Sequence, residues 1–277
     1  MKSRIINILI ALVFLTGAGI LFYPMLSDRW NQYQQDKVIY GYSEAVDETA
    51  AAKLEQAKKA AEEYNKNLLR DEIIIDPFDQ VKDKKVKGDY EAALNPDGNG
   101  VMGTIEIPKI DVNLPIFHGT SEEVLQKAIG HLEQTSLPIG GPGTHAVFSG
   151  HRGLPSAKLF TDLDQMKEGD VFYIHVLDET LAYQVDQITV VEPNNLEDLA
   201  IVAGEDHVTL VTCTPYSINT HRLLVRGTRI PYEEAEKTGQ KSEAEEEGFD
   251  MRPYIAAGAV VAVLLLFVII RRKKKKS

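Results

Sequence analysis

Two uncharged apolar runs, one at each end, constrain this chain more than anything between them. Residues 5–22 are apolar apart from Asn7 and Thr16, and residues 254–270 carry no charge. Each approaches the roughly 20 residues that a helix needs to cross a bilayer. Lys2 and Arg4 precede the first run, and Arg271-Arg272-Lys273-Lys274-Lys275-Lys276 follows the second. Cytoplasmic flanks collect Lys and Arg, so both termini are expected inside the cell and residues 24–253 outside it. A secretory signal peptide has the same charged start, but its apolar stretch is about 7–15 residues long and ends in small residues. Thr16-Gly17-Ala18 competes weakly for that role, because the run continues through Ile20-Leu21-Phe22-Tyr23. A buried core helix is the competing reading of the second run, and the hexabasic flank argues against it.

Charge follows the same division. The two ends hold eight of the 30 Lys and Arg and none of the 41 Asp and Glu, which leaves the outer part at −19. So acidic a body argues against nucleic acid as a partner, since phosphate binding depends on clustered cations. The basic tail reads as a topology signal and a contact with anionic inner-leaflet lipid. Cys213 is the only cysteine. The outer region therefore has no internal disulfide and must hold together by its core, which a body of this length can do.

Within the outer region, residues 27–69 are polar, with apolar residues at Val38, Tyr42, Val46, Leu54, Ala57, Ala61, Tyr64 and Leu68. That spacing predicts one or two helices with a narrow apolar stripe and a break near Gly41 or Asp47. They form either a solvated stalk or a layer packed on the body. Residues 70–100 read as a linker punctuated by Pro77 and Asn95-Pro96-Asp97-Gly98-Asn99-Gly100. From Val101 the chain becomes rich in Val, Ile, Leu, Thr and Tyr. Strands are expected at 104–108, 112–117, 144–149, 171–176, 181–191, 208–212 and 223–230, with a short helix over 122–130. Many short strands with few helices suggest a β-barrel or a sandwich.

Cys213 ends one of those strands, just before the turn Thr214-Pro215-Tyr216, and Arg222 follows nine residues later. Alternation puts Thr209, Val211 and Cys213 on one face, and Arg222, Leu224 and Arg226 share a face of the next strand. If the two strands pair across the intervening turn, Cys213 and Arg222 meet at one end of a sheet. A thiol attacks an acyl carbon as thiolate, and nearby positive charge favours that form. Arginine stays protonated and can hold a developing oxyanion, while histidine can hand a proton to a leaving amine. Seven histidines are available. His151 lies in a Gly-rich turn after an apolar strand, where side chains are exposed and positioned. His221 adjoins Arg222 but points to the opposite face of an extended strand. His118, His131, His145, His175 and His207 read as structural or solvent-facing.

The stretch Thr209-Leu210-Val211-Thr212-Cys213-Thr214-Pro215-Tyr216, continuing to Asn219-Thr220-His221-Arg222-Leu223-Leu224-Val225-Arg226-Gly227, resembles the active-site signature of the sortases, in the form carried by class C, the pilus-assembling group. Phe148-Ser149-Gly150-His151-Arg152-Gly153 is similar to the family's histidine segment. The resemblance implies a closed β-barrel with short helices. It makes Cys213 the nucleophile, His151 the general acid/base and Arg222 the oxyanion or substrate clamp. The implied substrate is a C-terminal LPXTG-type sorting signal, cut between Thr and Gly through a thioacyl enzyme. In class C a lysine of the next pilin subunit resolves that intermediate. Asp76-Pro77-Phe78 resembles the class C lid, in which the aromatic covers the cysteine and the acid pairs with the arginine; many relatives carry Trp where Phe78 stands. Such a cover would exclude water and substrate until it opens.

The expected organisation is a cytoplasmic start (1–4), a transmembrane helix (5–23), a juxtamembrane helical region (24–70), lid and linker (71–100), a sortase-type barrel (101–232), an acidic linker (233–253), a second transmembrane helix (254–270) and a basic tail (271–277). No cofactor and no required metal are expected, because the acidic residues form no ligand-spaced loop of the EF-hand kind. Expected partners are pilin subunits bearing sorting signals, an acceptor lysine and membrane lipid. Two readings compete with pilus polymerisation. One is a sortase that attaches proteins to peptidoglycan. The other is a non-enzymatic surface protein, but such a substrate needs LPXTG before its tail, and residues 246–253 hold nothing like it. Hydrolysis of the thioacyl enzyme would make the chain a thiol protease instead.

Overall fold

The computed structural model describes residues 2–68 and 88–243. The Val-, Ile- and Thr-rich runs become strands β1 (Val101–Ile107), β2 (Val112–His118), β3 (Ile129–His131), β4 (Thr144–Ser149), β5 (Val171–Val176), β6 (Glu179–Val191), β7 (Asp206–Thr214) and β8 (His221–Ile230). They close into a barrel in the order β1-β2-β3-β4-β7-β8-β6-β5. The pairs β2–β3 and β4–β7 are parallel and the other pairs antiparallel. Closure leaves no unpaired edge, so a barrel rather than a sandwich resolves the sequence expectation.

Alternation sorts the side chains. Ile105, Ile107, Ile116, Phe148, Phe172, Ile174, Leu210 and Val225 are buried in the main core. The opposite faces of β4, β6, β7 and β8 supply Val147, Val191, Val211 and Leu224, which form a second cluster with Leu132 and Leu199. Leu199 comes from the connection between β6 and β7, so that connection covers one outer face of the barrel.

Helices α1 (Lys2–Glu48) and α2 (Ala51–Leu68) precede the barrel. The expected break near Asp47 falls at residues 49–50, and α1 runs through Gly41 and across the 23/24 boundary as one helix. The stripe Val38, Tyr42 and Val46 packs on the barrel: Tyr42 and Val46 are buried with Leu54 and Val101. Tyr42 Oη donates to the Met102 carbonyl at 3.1 Å and accepts from the Leu177 N–H at 2.8 Å. The helices are therefore a packed layer and not a free stalk. In α2 the buried Asn65 makes a two-way bond with the backbone of Leu137, donating to its carbonyl at 3.1 Å and accepting from its N–H at 2.7 Å.

Two sequence expectations need correction. Residues 88–92 lie in the stretch read as linker, yet they form helix α3 (Gly88–Ala92). Its Tyr90 is buried, and the hydroxyl donates to His131 Nδ1 at 2.7 Å and accepts from the Gly119 N–H at 3.1 Å. The helix expected over 122–130 is only α4 (Glu122–Leu125), capped by Ser121, and residues 129–131 leave it to become β3. Parallel pairing with β2 overrides the local pattern there. No helix among the described residues is long and apolar enough to cross a membrane. The side chains of residues 1–5, 7–9 and 11, where the first apolar run begins, lie outside the described set, as do residues 244–277 with the second run. Helix α5 (Tyr232–Glu243) closes the described chain and docks Ala235 beside Val171, Tyr173 and Ala182.

Candidate active site

Antiparallel pairing of β7 with β8 sets Cys213 directly opposite Arg222, with Val211 opposite Leu224 two positions further in. Cys213 and Arg222 therefore leave the barrel on the face of the second apolar cluster, as alternation requires. Both are buried, at 8 % and 7 % exposure. A thiol and a guanidinium on adjacent strands, withdrawn from bulk water, interact through a lower effective dielectric than they would at the surface. The Arg222 guanidinium is steered by its own loop, where Nη1 donates to the carbonyls of Asn219 (3.3 Å) and His221 (3.2 Å).

His151 arrives from the other side of β7. Parallel β4 pairs Ser149 with Val211. Beyond the end of the strand, the Gly150 N–H donates to the Val211 carbonyl at 3.1 Å, and Thr212 Oγ1 donates to the Gly150 carbonyl at 2.8 Å. Carrying that register forward two positions brings residue 151 level with residue 213. Adjacent strands are about 4.7–4.9 Å apart, so thiol, imidazole and guanidinium are borne by neighbouring backbones at one end of the barrel. Gly150 is required for this descent. A Cβ there would stand 2.7 Å from the Phe160 ring, which packs against the bare backbone. The His151 carbonyl accepts from the Phe160 N–H at 3.2 Å, closing the loop on itself. Burial holds the His151 imidazole below the ordinary histidine range, partly offset by the carboxylate of Glu122.

Sequence reasoning assigned no role to Arg152, which fastens the histidine loop to the cysteine strand. Its side chain is 9 % exposed. Nε donates to the Thr161 carbonyl at 3.2 Å, Nη1 donates to Thr214 Oγ1 at 3.3 Å, and Nη2 pairs with Asp164. The guanidinium also lies 5.8 Å from the centroid of the Tyr216 ring. Gly153 takes φ +79°, and a Cβ there would come within 2.8 Å of that same ring. The only sequence signal for this clamp was the position of Arg152 beside His151; its partners are scattered over residues 161–216.

The remaining histidines sit where structural roles were expected. His131 is fully buried and its Nε2–H donates to the Ser136 carbonyl at 2.8 Å, so Nδ1 is the acceptor for Tyr90. His145 donates from Nδ1 to the Ala200 carbonyl and accepts at Nε2 from Thr209. Asp76, Pro77 and Phe78 lie outside the described residues. Among the described residues no group of His, Cys, Asp and Glu is gathered to hold a metal ion.

A lone buried cysteine facing an arginine, with a histidine loop clamped to the same strand end of a closed eight-stranded barrel, is the equipment of a thiol-dependent acyl-transfer enzyme. Residues 105–230 match the family model described as "Sortase domain". The chain is 49 % identical to Streptococcus pneumoniae sortase C, with a TM-score of 0.64 over 71 % of this chain and 97 % of that one. It is also 49 % identical to Streptococcus agalactiae sortase C1 (TM-score 0.65, 70 % of this chain and 98 % of that one). A curated relative, sortase A of S. agalactiae, is 27 % identical over 242 residues, covering 86 % of this chain and 87 % of that protein. The chain belongs to the sortase family of cysteine transpeptidases, and the two solved structures just compared are sortase C enzymes.

Proposed function

We propose that this chain is a membrane-anchored pilus-assembling sortase. It cleaves an LPXTG-type sorting signal between Thr and Gly and passes the acyl group to a lysine of the next pilin subunit. The register that sets Cys213 opposite Arg222, with the His151 loop bonded to the same strand, carries the reading. The high identity to sortase C enzymes supports pilin as the substrate class; the S. pneumoniae enzyme was described with its pilin substrate specificity.

The roles follow from the chemistry of each group. His151, held neutral by burial at physiological pH, takes the proton of the Cys213 thiol. The Cys213 thiolate attacks the threonine carbonyl carbon, and Arg222 donates to the oxygen that gains charge. The C–N bond to glycine then breaks, and the amine leaves with the proton from the His151 imidazolium. A neutral lysine amine attacks the thioester, returns a proton through His151 and leaves an isopeptide bond and a free thiol. Asp76 and Phe78 are proposed as the lid over this site, on the strength of the motif alone. Tyr64 on α2 and Tyr90 on α3, on either side of that segment in the sequence, approach with ring centroids 6.1 Å apart. The apolar runs 5–23 and 254–270 are proposed as the two anchors, with the barrel outside the cell.

Intact mass of the soluble region after incubation with an LPXTG-type peptide tests the assignment. A thioester adduct should form on wild type, be absent in Cys213→Ala and be much reduced in Arg222→Ala. Absence of the adduct across several sorting peptides, even with Asp76 and Phe78 replaced by Ala, would refute it. Release of the adduct by a pilin lysine in preference to a peptidoglycan amine would distinguish polymerisation from anchoring.

A further inference from the structure

Among the described residues, most of the large exposed apolar side chains lie on one helix, α1. Soluble surfaces rarely gather so many contiguously, and such patches mark contact with a partner or a membrane. The part of α1 that lies against the barrel has two opposed faces. One is docked. Ser27 Oγ donates to the Ser156 carbonyl at 3.3 Å, as does the Asn31 side-chain amide, and Asp28 accepts from the Lys158 N–H at 2.8 Å. Further along, Gln35, Tyr42 and Val46 are buried. The other face carries Tyr23, Leu26, Trp30, Tyr33, Lys37 and Tyr40, spaced three and four residues apart so that they form one line. Tyr23, Leu26, Trp30 and Tyr33 are 55 %, 63 %, 63 % and 51 % exposed. No barrel residue covers them, although the same helix is fastened to the barrel on its far side.

Composition says what covers this line. A helix–helix seam calls for aliphatic residues, whereas this one is built mainly of aromatics with a polar tip. Tyr and Trp concentrate where a membrane meets water, because the ring is apolar and the tip wet. The line also continues directly from the uncharged run 5–22. Trp30 stands about 10 Å beyond Tyr23 along the axis, at 1.5 Å per residue. Each headgroup layer is about 5–8 Å deep, so Trp30 reaches its outer boundary when the helix tilts by about 40°, which shortens the offset to about 8 Å. The Tyr33 ring leans on Trp30, with centroids 6.1 Å apart, and Lys37 Nζ caps the Tyr33 ring at 4.5 Å, a cation at the wet end of the line.

We infer that the outward face of α1 from Tyr23 to Trp30 is a lipid-contact surface that reaches from the hydrocarbon edge to the outer boundary of the headgroup layer. The inference rests on the anchored reading of residues 5–23 and adds to it a specific contact outside the spanning segment. Trp30 is the only tryptophan in the chain, so its fluorescence reports this contact alone. The full chain is reconstituted into phosphatidylcholine–phosphatidylglycerol vesicles, and lipids brominated near the headgroup or near the chain end serve as quenchers. Trp30 should be shielded from aqueous acrylamide several-fold relative to the urea-unfolded chain. Shallow bromines should quench it more than deep ones. Protein that floats with the vesicles while Trp30 stays as open to acrylamide as in the unfolded chain would overturn the lipid contact and leave the anchor standing. Failure to float would remove the anchor, and the contact with it. Shielding that ignores bromolipid and grows with the protein-to-lipid ratio would show a second copy covering the face, and would also overturn the inference.

Discussion

Replacing Arg152 with Met keeps most of the aliphatic stem and deletes the guanidinium that fastens the histidine loop to β7. Three polar contacts are lost, to the Thr161 carbonyl, to Thr214 Oγ1 and to Asp164. Hydrogen bonds from a charged donor are worth about 1.5–3 kcal/mol each, but Asp164 is 47 % exposed, so its pairing is worth only about 0.5–1 kcal/mol. The clamp then contributes roughly 3.5–7 kcal/mol to holding the loop, enough to let residue 151 wander when it is removed. A misplacement near 1 Å can cost about 100-fold in rate. Arg152→Met should therefore lower kcat/KM for transpeptidation by about 10- to 100-fold while the barrel stays folded by circular dichroism. Asp164→Asn, which leaves the two other bonds, should cost only a few-fold. If Arg152 acts only by placing His151, its loss should have little further effect once His151 is Ala. The decisive assay is a double-mutant cycle on peptide turnover. Activity of Arg152→Met within twofold of wild type, or effects of Arg152→Met and His151→Ala that multiply independently, would refute the positioning argument.

Three other outcomes follow from the same geometry. Burial holds His131 down to about 3 and His145 to about 4, against about 6.5 when unfolded. The unfolded chain thus binds more protons as pH falls below about 6.5, so each histidine should remove about 2 kcal/mol of stability between pH 8 and pH 5. Urea unfolding at the two pH values should show a combined loss near 4 kcal/mol, and His131→Asn should shrink that difference; equal stability at both pH values would contradict the burial. Asn65→Ala strips the side-chain partner of the buried Leu137 N–H, while the Leu137 carbonyl keeps the Ile139 N–H at 2.8 Å, and should cost about 2 kcal/mol, with a change under 0.5 kcal/mol counting against the contact. Replacing Asp76 and Phe78 with Ala should speed labelling of Cys213 by a thiol reagent, whereas an unchanged rate would dismiss the lid.

What could be read from the residues depended on how local the signal was. The β7–β8 pairing was legible because alternation and a short turn together fix which residues face each other, and Cys213 opposite Arg222 follows from those alone. The docked stripe of α1 was legible for the same reason, since Val38, Tyr42 and Val46 repeat at helical spacing. Strand β3 was not. Three residues centred on Gly130 have almost no side-chain preference, and the pairing is set by β2, whose approach leaves no room for a Cβ there: one would fall 2.1 Å from the Gly119 carbonyl oxygen. Helix α3 is too short for periodicity to register, and Tyr90 owes its burial to His131 and Gly119 and not to its neighbours in sequence. The Arg152 clamp gathers Thr161, Asp164, Thr214 and Tyr216, a set that no spacing rule connects.

Strand β8 is the last of the barrel to be synthesised, yet it sits between β7 and β6. Until it inserts, the ring stays open and both neighbours present unpaired edges. The same strand brings Arg222 to Cys213. A chain still short of β8 therefore holds a thiol without its cation. Completion of the barrel and the meeting of Cys213 with Arg222 are therefore one event.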